Sequence, residues 1–209
     1  MKRVAVGGIA VALAGLMLVP GGASAGARDY PGAYVFGFKV RAGGRYDDVR
    51  MCVASPPGVK GGPSMDVSLF AEIPVGDGAA VEVDLPFVRP IMFAAAFGML
   101  QFEPTATLKL RAARGDSVDL IAGPSLGISL HYGPDFESDK SGQDRSTSFF
   151  ALGPTIGGYV GMDFPRPNER FNFQLGLTPY ATPLFGVGDP EDHKGIVIGG
   201  LLDGQFRFR

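Results

Sequence analysis

GMLQFEPTATLKLRAARGDSVDLIAGPSLGISLHY, residues 98–132, is the stretch whose reading decides the fold. In its first half Leu100, Phe102, Pro104, Ala106, Leu108, Leu110 and Ala112 fall on one side, with Met99, Gln101, Glu103, Thr105, Thr107, Lys109 and Arg111 on the other. A polar turn at Arg114-Gly115-Asp116 follows, and the alternation resumes. Leu120, Ala122, Pro124, Leu126, Ile128, Leu130 and Tyr132 now stand against Asp119, Ile121, Gly123, Ser125, Gly127, Ser129 and His131. Successive side chains of a strand point to opposite faces, so a period of two predicts an antiparallel hairpin with one apolar and one small or polar face.

The same pattern recurs outward from this hairpin. Upstream, Tyr34, Phe36, Phe38 and Val40 alternate with Lys39 and Arg41; Met65, Val67, Leu69 and Ile73 with Asp66 and Glu72; Val81, Val83 and Leu85 with Glu82 and Asp84. Downstream, strands are expected at 150–164, 171–185 and 196–208. The count is eight. Turns after strands two, four and six are short, at 76–78, 114–116 and 165–169, whereas residues 43–64, 133–146 and 186–194 form long polar loops. Residues 89–97, RPIMFAAAF, form an apolar connection between strands three and four. Proline stands inside strands at Pro104, Pro124, Pro154, Pro179 and Pro183, where bulges are the expected accommodation because proline removes a ladder donor.

Residues 1–25 differ in kind. Lys2 and Arg3, an apolar run from Val4 to Val19, and Ala23-Ser24-Ala25 read as a secretory signal peptide, leaving residues 26–209 as the mature domain. Without it the chain carries 17 basic and 21 acidic residues, a net charge of −4, which argues against a nucleic-acid partner. The 32 glycines and 17 prolines accompany 45% hydrophobic residues, so the composition is that of a turn-rich β protein rather than of a disordered chain. Cys52 is the sole cysteine, so an exported chain has no internal disulfide and rests on packing and backbone pairing.

Alternation alone fits both a membrane barrel and a water-soluble one, which differ in which face points in. Strands of 15 or more residues, beyond the ~9–11 that cross a bilayer with tilt, and polar faces rich in glycine and serine favour the membrane. The signal peptide, eight alternating strands and aromatic-rich terminal strand resemble the small bacterial outer-membrane β-barrels of the OmpA, OmpX and OmpW type. The resemblance implies an eight-stranded antiparallel up-and-down transmembrane β-barrel in the outer membrane, partnered by outer-membrane lipid and lipopolysaccharide. It also implies that Phe206 and Phe208 serve as the signal for the barrel-insertion machinery. The last residue, Arg209, departs from the pattern of a terminal aromatic, and with no tryptophan any interfacial girdle must use Tyr and Phe.

In this orientation Lys39, Arg41, Asp66, Glu72, Glu82, Asp84, Glu103, Lys109, Arg111, Asp119, Asp203 and Arg207 point into the lumen. Buried charges must pair or be solvated, so they read as an ion-pair network that plugs the barrel, with a narrow pore or proton path as the alternative. Ile91, Met92, Phe93 and Phe97 form a possible hydrophobic mouth. It could fold over the barrel, sit in the outer leaflet, line an opening for a small hydrophobic ligand, or be the tip of two longer strands. Ser129 and His131, with Glu137 nearby, contain the groups of a hydrolytic triad but match no signature spacing. Asp135, Glu137 and Asp139, and Asp189, Glu191 and Asp192 beside His193, lie in loops without a defined metal-binding geometry, so neither metal nor cofactor is expected. Three functions follow in order: a non-enzymatic structural or surface-interaction barrel, a channel or transporter for small hydrophobic molecules, and a lipid-acting hydrolase.

Overall fold

A computed structural model describes residues 34–47, 61–97, 100–134, 148–164, 171–187 and 194–208. Along the chain run β1 (Val35–Asp47), β2 (Gly62–Gly76), β3 (Ala79–Pro86), α1 (Val88–Phe97), β4 (Leu100–Phe102), β5 (Thr105–Arg114), β6 (Asp119–Pro134), β7 (Ser148–Phe164), β8 (Phe171–Gly186) and β9 (Lys194–Phe208). Every pairing is antiparallel, and β1 pairs with β9 while β6 pairs with β7, so the sheet closes on itself. Among the described residues no helix is long and apolar enough to cross a membrane.

The nine segments make eight staves. β4 and β5 meet β6 in one register, from Leu100 opposite Tyr132 to Arg111 opposite Ile121, with gaps in pairing at Glu103 and Pro104 and again at Leu108 and Lys109, opposite Pro124 and Gly123. Pro104 has no N–H to give, but its carbonyl accepts the Ile128 N–H at 3.2 Å, so the stave holds on the β6 side. The predicted single strand from Gly98 to Ala112 is therefore interrupted, and its irregularity in pairing falls near Ala112, between Arg111 and Ala113.

The expected proline bulges do not occur at Pro124, Pro154, Pro179 or Pro183. β6–β7 and β8–β9 run through these residues without a register shift. Proline on an outward-facing position needs no extra residue to be accommodated; it simply leaves its donor out of the ladder.

Burial gives the barrel its polarity. Met65, Leu126 and Leu202 are 63–70% exposed, whereas Lys39, Glu82 and Lys109 are at most 2% exposed. Apolar residues point out and charged ones in, the reverse of a water-soluble barrel and the arrangement of one embedded in lipid. At the end of the barrel where the chain terminates, Phe38, Phe171, Phe173, Phe206 and Phe208 pack on the outer face. Phe38 stacks on Phe206 with ring centroids 4.6 Å apart. This aromatic band uses phenylalanine where tryptophan is lacking.

Residues 88–97 are not an extended strand tip but a helix. Ala94, Ala95 and Ala96 favour it, and its first turn is bonded, with Ile91 N–H donating to Phe87 O at 3.2 Å. Asp66 on β2 supplies the cap, its Oδ1 accepting the Arg89 N–H at 3.0 Å. The signal peptide, most of the long loops, the 165–169 turn and Cys52 lie outside the described residues.

Candidate functional site: the charged lumen and its covered mouth

The twelve predicted inward charges all belong to the lumen, but not as one cluster. They form tiers. Near the chain-terminal end Arg111 meets Asp119 at 3.0 Å. Above them Lys109 Nζ lies within 2.8 Å of four oxygens: Glu72 Oε1 at 2.8 Å, Glu82 Oε2 at 2.5 Å, Gln174 Oε1 at 2.7 Å and Gln205 Oε1 at 2.8 Å. Glu72 and Glu82 are direct cross-strand partners, so a cation between them is required to offset their repulsion. Arg207 donates to the other Glu72 oxygen and reaches Asp163 at 2.9 Å. The rings of Phe70 and Tyr159 flank the ammonium, with centroids 5.8 and 5.0 Å away.

A third tier follows without a break. Lys39 joins Glu82 and Asp84, both at 2.6 Å, and Arg41 joins Asp84 at 2.7 Å and Asp203 at 3.1 Å. Thr178 donates to the second Asp203 oxygen. Strand alternation places all of these side chains inward, and cross-strand register sets Arg41 directly between Asp66 and Asp203, whereas Lys39 stands opposite Ser68 and Gln205 and reaches its carboxylates on β3 across the lumen.

The outermost tier is centred on Glu103. Its Oε1 takes Arg45 at 3.5 Å, Ser129 Oγ at 3.1 Å and His131 Nε2 at 3.0 Å, while Oε2 takes Arg89. Ser129 and His131 thus share one carboxylate and are fully buried; they do not present a nucleophile beside a base. Glu137 lies outside the described residues. Glu103 can occupy this hub because the chain breaks pairing at Pro104 just beyond it.

Arg89 descends from α1 to Asp66 Nε–Oδ2 at 3.4 Å, to Ser64 and to Glu103. From the same helix Phe93 packs on Ala151, Leu184 and Val197, which lie on β7, β8 and β9. The helix therefore reaches across the mouth from its origin after β3 to the opposite wall. Ile91 and Met92 remain 62% and 58% exposed on its outer side. Phe97 closes the helix in the chain, and its side chain lies outside the described residues. Beneath α1 a polar cavity of about 30 Å³, room for roughly two water molecules, is lined by the charged residues Arg41, Asp66, Arg89 and Glu103 together with hydroxyl-bearing residues such as Ser64 and Thr178.

Sequence alternation identified the acidic and basic members but not Arg45, Arg89, Asp163 or the two glutamines on Lys109. Arg89 had a readable signal, as the one charge at the start of an otherwise apolar connection. Among the described residues no group of His, Cys, Asp and Glu forms a metal-binding cluster.

No protein-family model matches the sequence, and no curated protein does. Solved structures do. The crystal structure of Neisserial surface protein A superposes with a TM-score of 0.50 at 10% identity, over 84% of this chain and 96% of that one. The outer membrane protein OprG from Pseudomonas aeruginosa gives 0.49 at 14% identity, over 84% and 94%. At such identity the likeness to the first is one of fold: the chain has the architecture of the small eight-stranded outer-membrane β-barrels.

Proposed function

We propose that the protein is a non-catalytic integral outer-membrane barrel with a structural or surface-interaction role, exported by its first 25 residues. The observation that carries this reading is the continuous ion-pair column from Arg207 to Arg41, which fills the lumen where a conducting path would run. α1 lies over the mouth, with Arg89 reaching down to Asp66 and Glu103 and Phe93 packed on the opposite wall. Phe206 and Phe208 lie on the outer face of the last strand and supply the aromatic signal for the insertion machinery. Lipid and lipopolysaccharide are the partners of the apolar exterior. The alternative, passage of small hydrophobic molecules past the Ile91–Phe93 mouth, draws on the apolar outer side of α1.

Cell fractionation with unheated and heated gel samples tests the assignment, and planar-bilayer recording of the purified barrel tests the closed lumen. Recovery in the outer membrane with heat-dependent mobility and no stepwise conductance is expected. Recovery from the soluble periplasm, or stable ion-conducting openings, would overturn it.

A further inference from the structure

The cavity beneath α1 holds a donor and an acceptor that the surrounding contacts leave unused. Arg89 gives Nη1 to Ser64 Oγ at 3.3 Å, Nη2 to Glu103 Oε2, and its main-chain N–H to Asp66 Oδ1 at 3.0 Å. Asp66 Oδ1 also accepts the Val67 N–H at 2.8 Å, so that oxygen is fully committed. Arg89 Nε and Asp66 Oδ2 remain. They lie 3.4 Å apart and attract as opposite charges, but both atoms are buried and neither makes a hydrogen bond among the described residues. Both side chains line the cavity, and the two residues are only 8% and 6% exposed. Buried polar atoms as a rule find a partner, so this pair marks a place where one is due.

The surroundings select the chemistry of that partner. Arg41 and Arg89 line the cavity together with Asp66 and Glu103, two charges of each sign, so a ligand of either net charge meets two like charges in a poorly solvated space and a neutral one meets none. Most of the remaining lining bears hydroxyls, contributed by β2, β5, β6, β7 and β8. A hydroxyl accepts and donates through one oxygen. Set to one side of the 3.4 Å pair, it takes the Arg89 Nε–H and gives its own proton to Asp66 Oδ2 at once. The cavity has room for roughly two waters. The two oxygens of a vicinal diol are spaced much as two hydrogen-bonded waters are, roughly 2.8 Å apart.

We propose that the recess under α1 is a binding site for a vicinal diol, carried by a free polyol or by a sugar ring, and that α1 is the cover that admits it from outside. The floor is closed, because Arg41 is locked to Asp84 at 2.7 Å and Asp203 at 3.1 Å at the top of the ion-pair column, so the ligand is held and does not pass. The cover is the movable side. α1 is fastened at its first turn by Asp66 and Arg89 and further along by Phe93, which is only partly buried, while Ile91 and Met92 are exposed on its outer side. The inference rests on the mouth belonging to an outer-membrane barrel; fractionation and heat-dependent mobility test that reading without any diol, so the two can fail separately.

The folded barrel is held in lauryldimethylamine oxide, a detergent without hydroxyls, and titrated with glycerol or glucose while saturation transfer from protein to ligand protons is recorded by NMR. A saturable signal from at least one of them is expected, and the tighter of the two identifies the source as a free polyol or a sugar ring. Trimethylene glycol, whose hydroxyls are not adjacent, should give none. Thr105→Leu fills the recess from β5 and should abolish the signal. Asp66→Asn keeps an oxygen to cap α1 but removes the unused carboxylate oxygen, and should weaken binding about tenfold. No saturable signal from either diol, equal binding of trimethylene glycol, or binding undiminished in Thr105→Leu would overturn the proposal. Should Thr105→Leu lose heat-dependent mobility, Asp66→Asn decides in its place, and undiminished binding there overturns the proposal equally.

Discussion

Replacing Lys109 with methionine removes the ammonium while keeping most of the side chain's volume. The contacts to Glu82 at 2.5 Å and Glu72 at 2.8 Å each correspond to about 6 kcal/mol of Coulomb attraction at an effective dielectric of ~20. Most of that is offset in the native protein by the cost of drying three charges. The variant loses the attraction but still dries two carboxylates held opposite each other. Arg207 still faces Glu72 and Lys39 still faces Glu82, and the further relief open to the pair is to protonate a glutamate, which at pH 7 costs about 3–4 kcal/mol from the ordinary carboxylate value. The expected loss is therefore about 3–4 kcal/mol, within the range for breaking a buried pair by deleting one partner. Urea titration in detergent micelles, scored by the heat-dependent gel shift, measures it. Adding Glu82→Gln to Lys109→Met removes the second charge and should restore about half or more of the loss. A Lys109→Met barrel within 1 kcal/mol of wild type, or a double variant worse than the single, would refute the account of the lumen as a mutually dependent charge core.

Other perturbations address the exterior, the close approaches and the helix. Leu126→Arg or Leu202→Arg, on the lipid face, should cost about 2–4 kcal/mol in vesicles, depending on depth; no loss in the same urea titration would reverse the barrel's polarity. Gly153→Ala would place a Cβ 1.7 Å from the Pro183 carbonyl, so the midpoint should drop by the equivalent of about 1–3 kcal/mol, whereas Gly200→Ala, whose Cβ meets nothing within 4 Å, should leave it unchanged. Arg89→Ala unlatches α1 and leaves Glu103 short of a partner; amide exchange across residues 88–95 should accelerate at least tenfold while β1–β9 amides keep their protection, and uniform acceleration would count against a separately latched helix.

Period-two alternation carried the fold because a barrel wall has only two environments, and a residue such as Leu126 or Lys109 cannot trade one for the other. The same two-environment logic is what assigns the charged residues of each strand to one face. Partner choice was less legible. Whether Lys109 meets Arg111's partner or those of Lys39 depends on the stagger between strands distant in sequence, and that stagger appears in no local pattern. The helix was hidden because residues 90–97 are apolar throughout and so have no period to read; Ala94-Ala95-Ala96 favours a helix only once Asp66 is brought to its start. The prolines misled through their spacing. Gly123-Pro124 and Gly153-Pro154 look alike, but Pro154 alone of the two faces another proline.

Asp66 has a consequence for the order of assembly. It belongs to β2, yet it caps a helix that begins more than twenty residues later, and the neighbouring Val67 carbonyl accepts the Phe87 N–H at 3.0 Å. The helix start is therefore positioned only after the β2–β3 hairpin has found its register. A one-residue slip in that hairpin would turn Asp66 outward and leave the first turn of the helix uncapped, with Arg89 carried away from Glu103. Correct placement of the cover over the mouth thus reports that the hairpin beneath it is correctly zipped, a built-in proofreading of one β-hairpin by one helical turn.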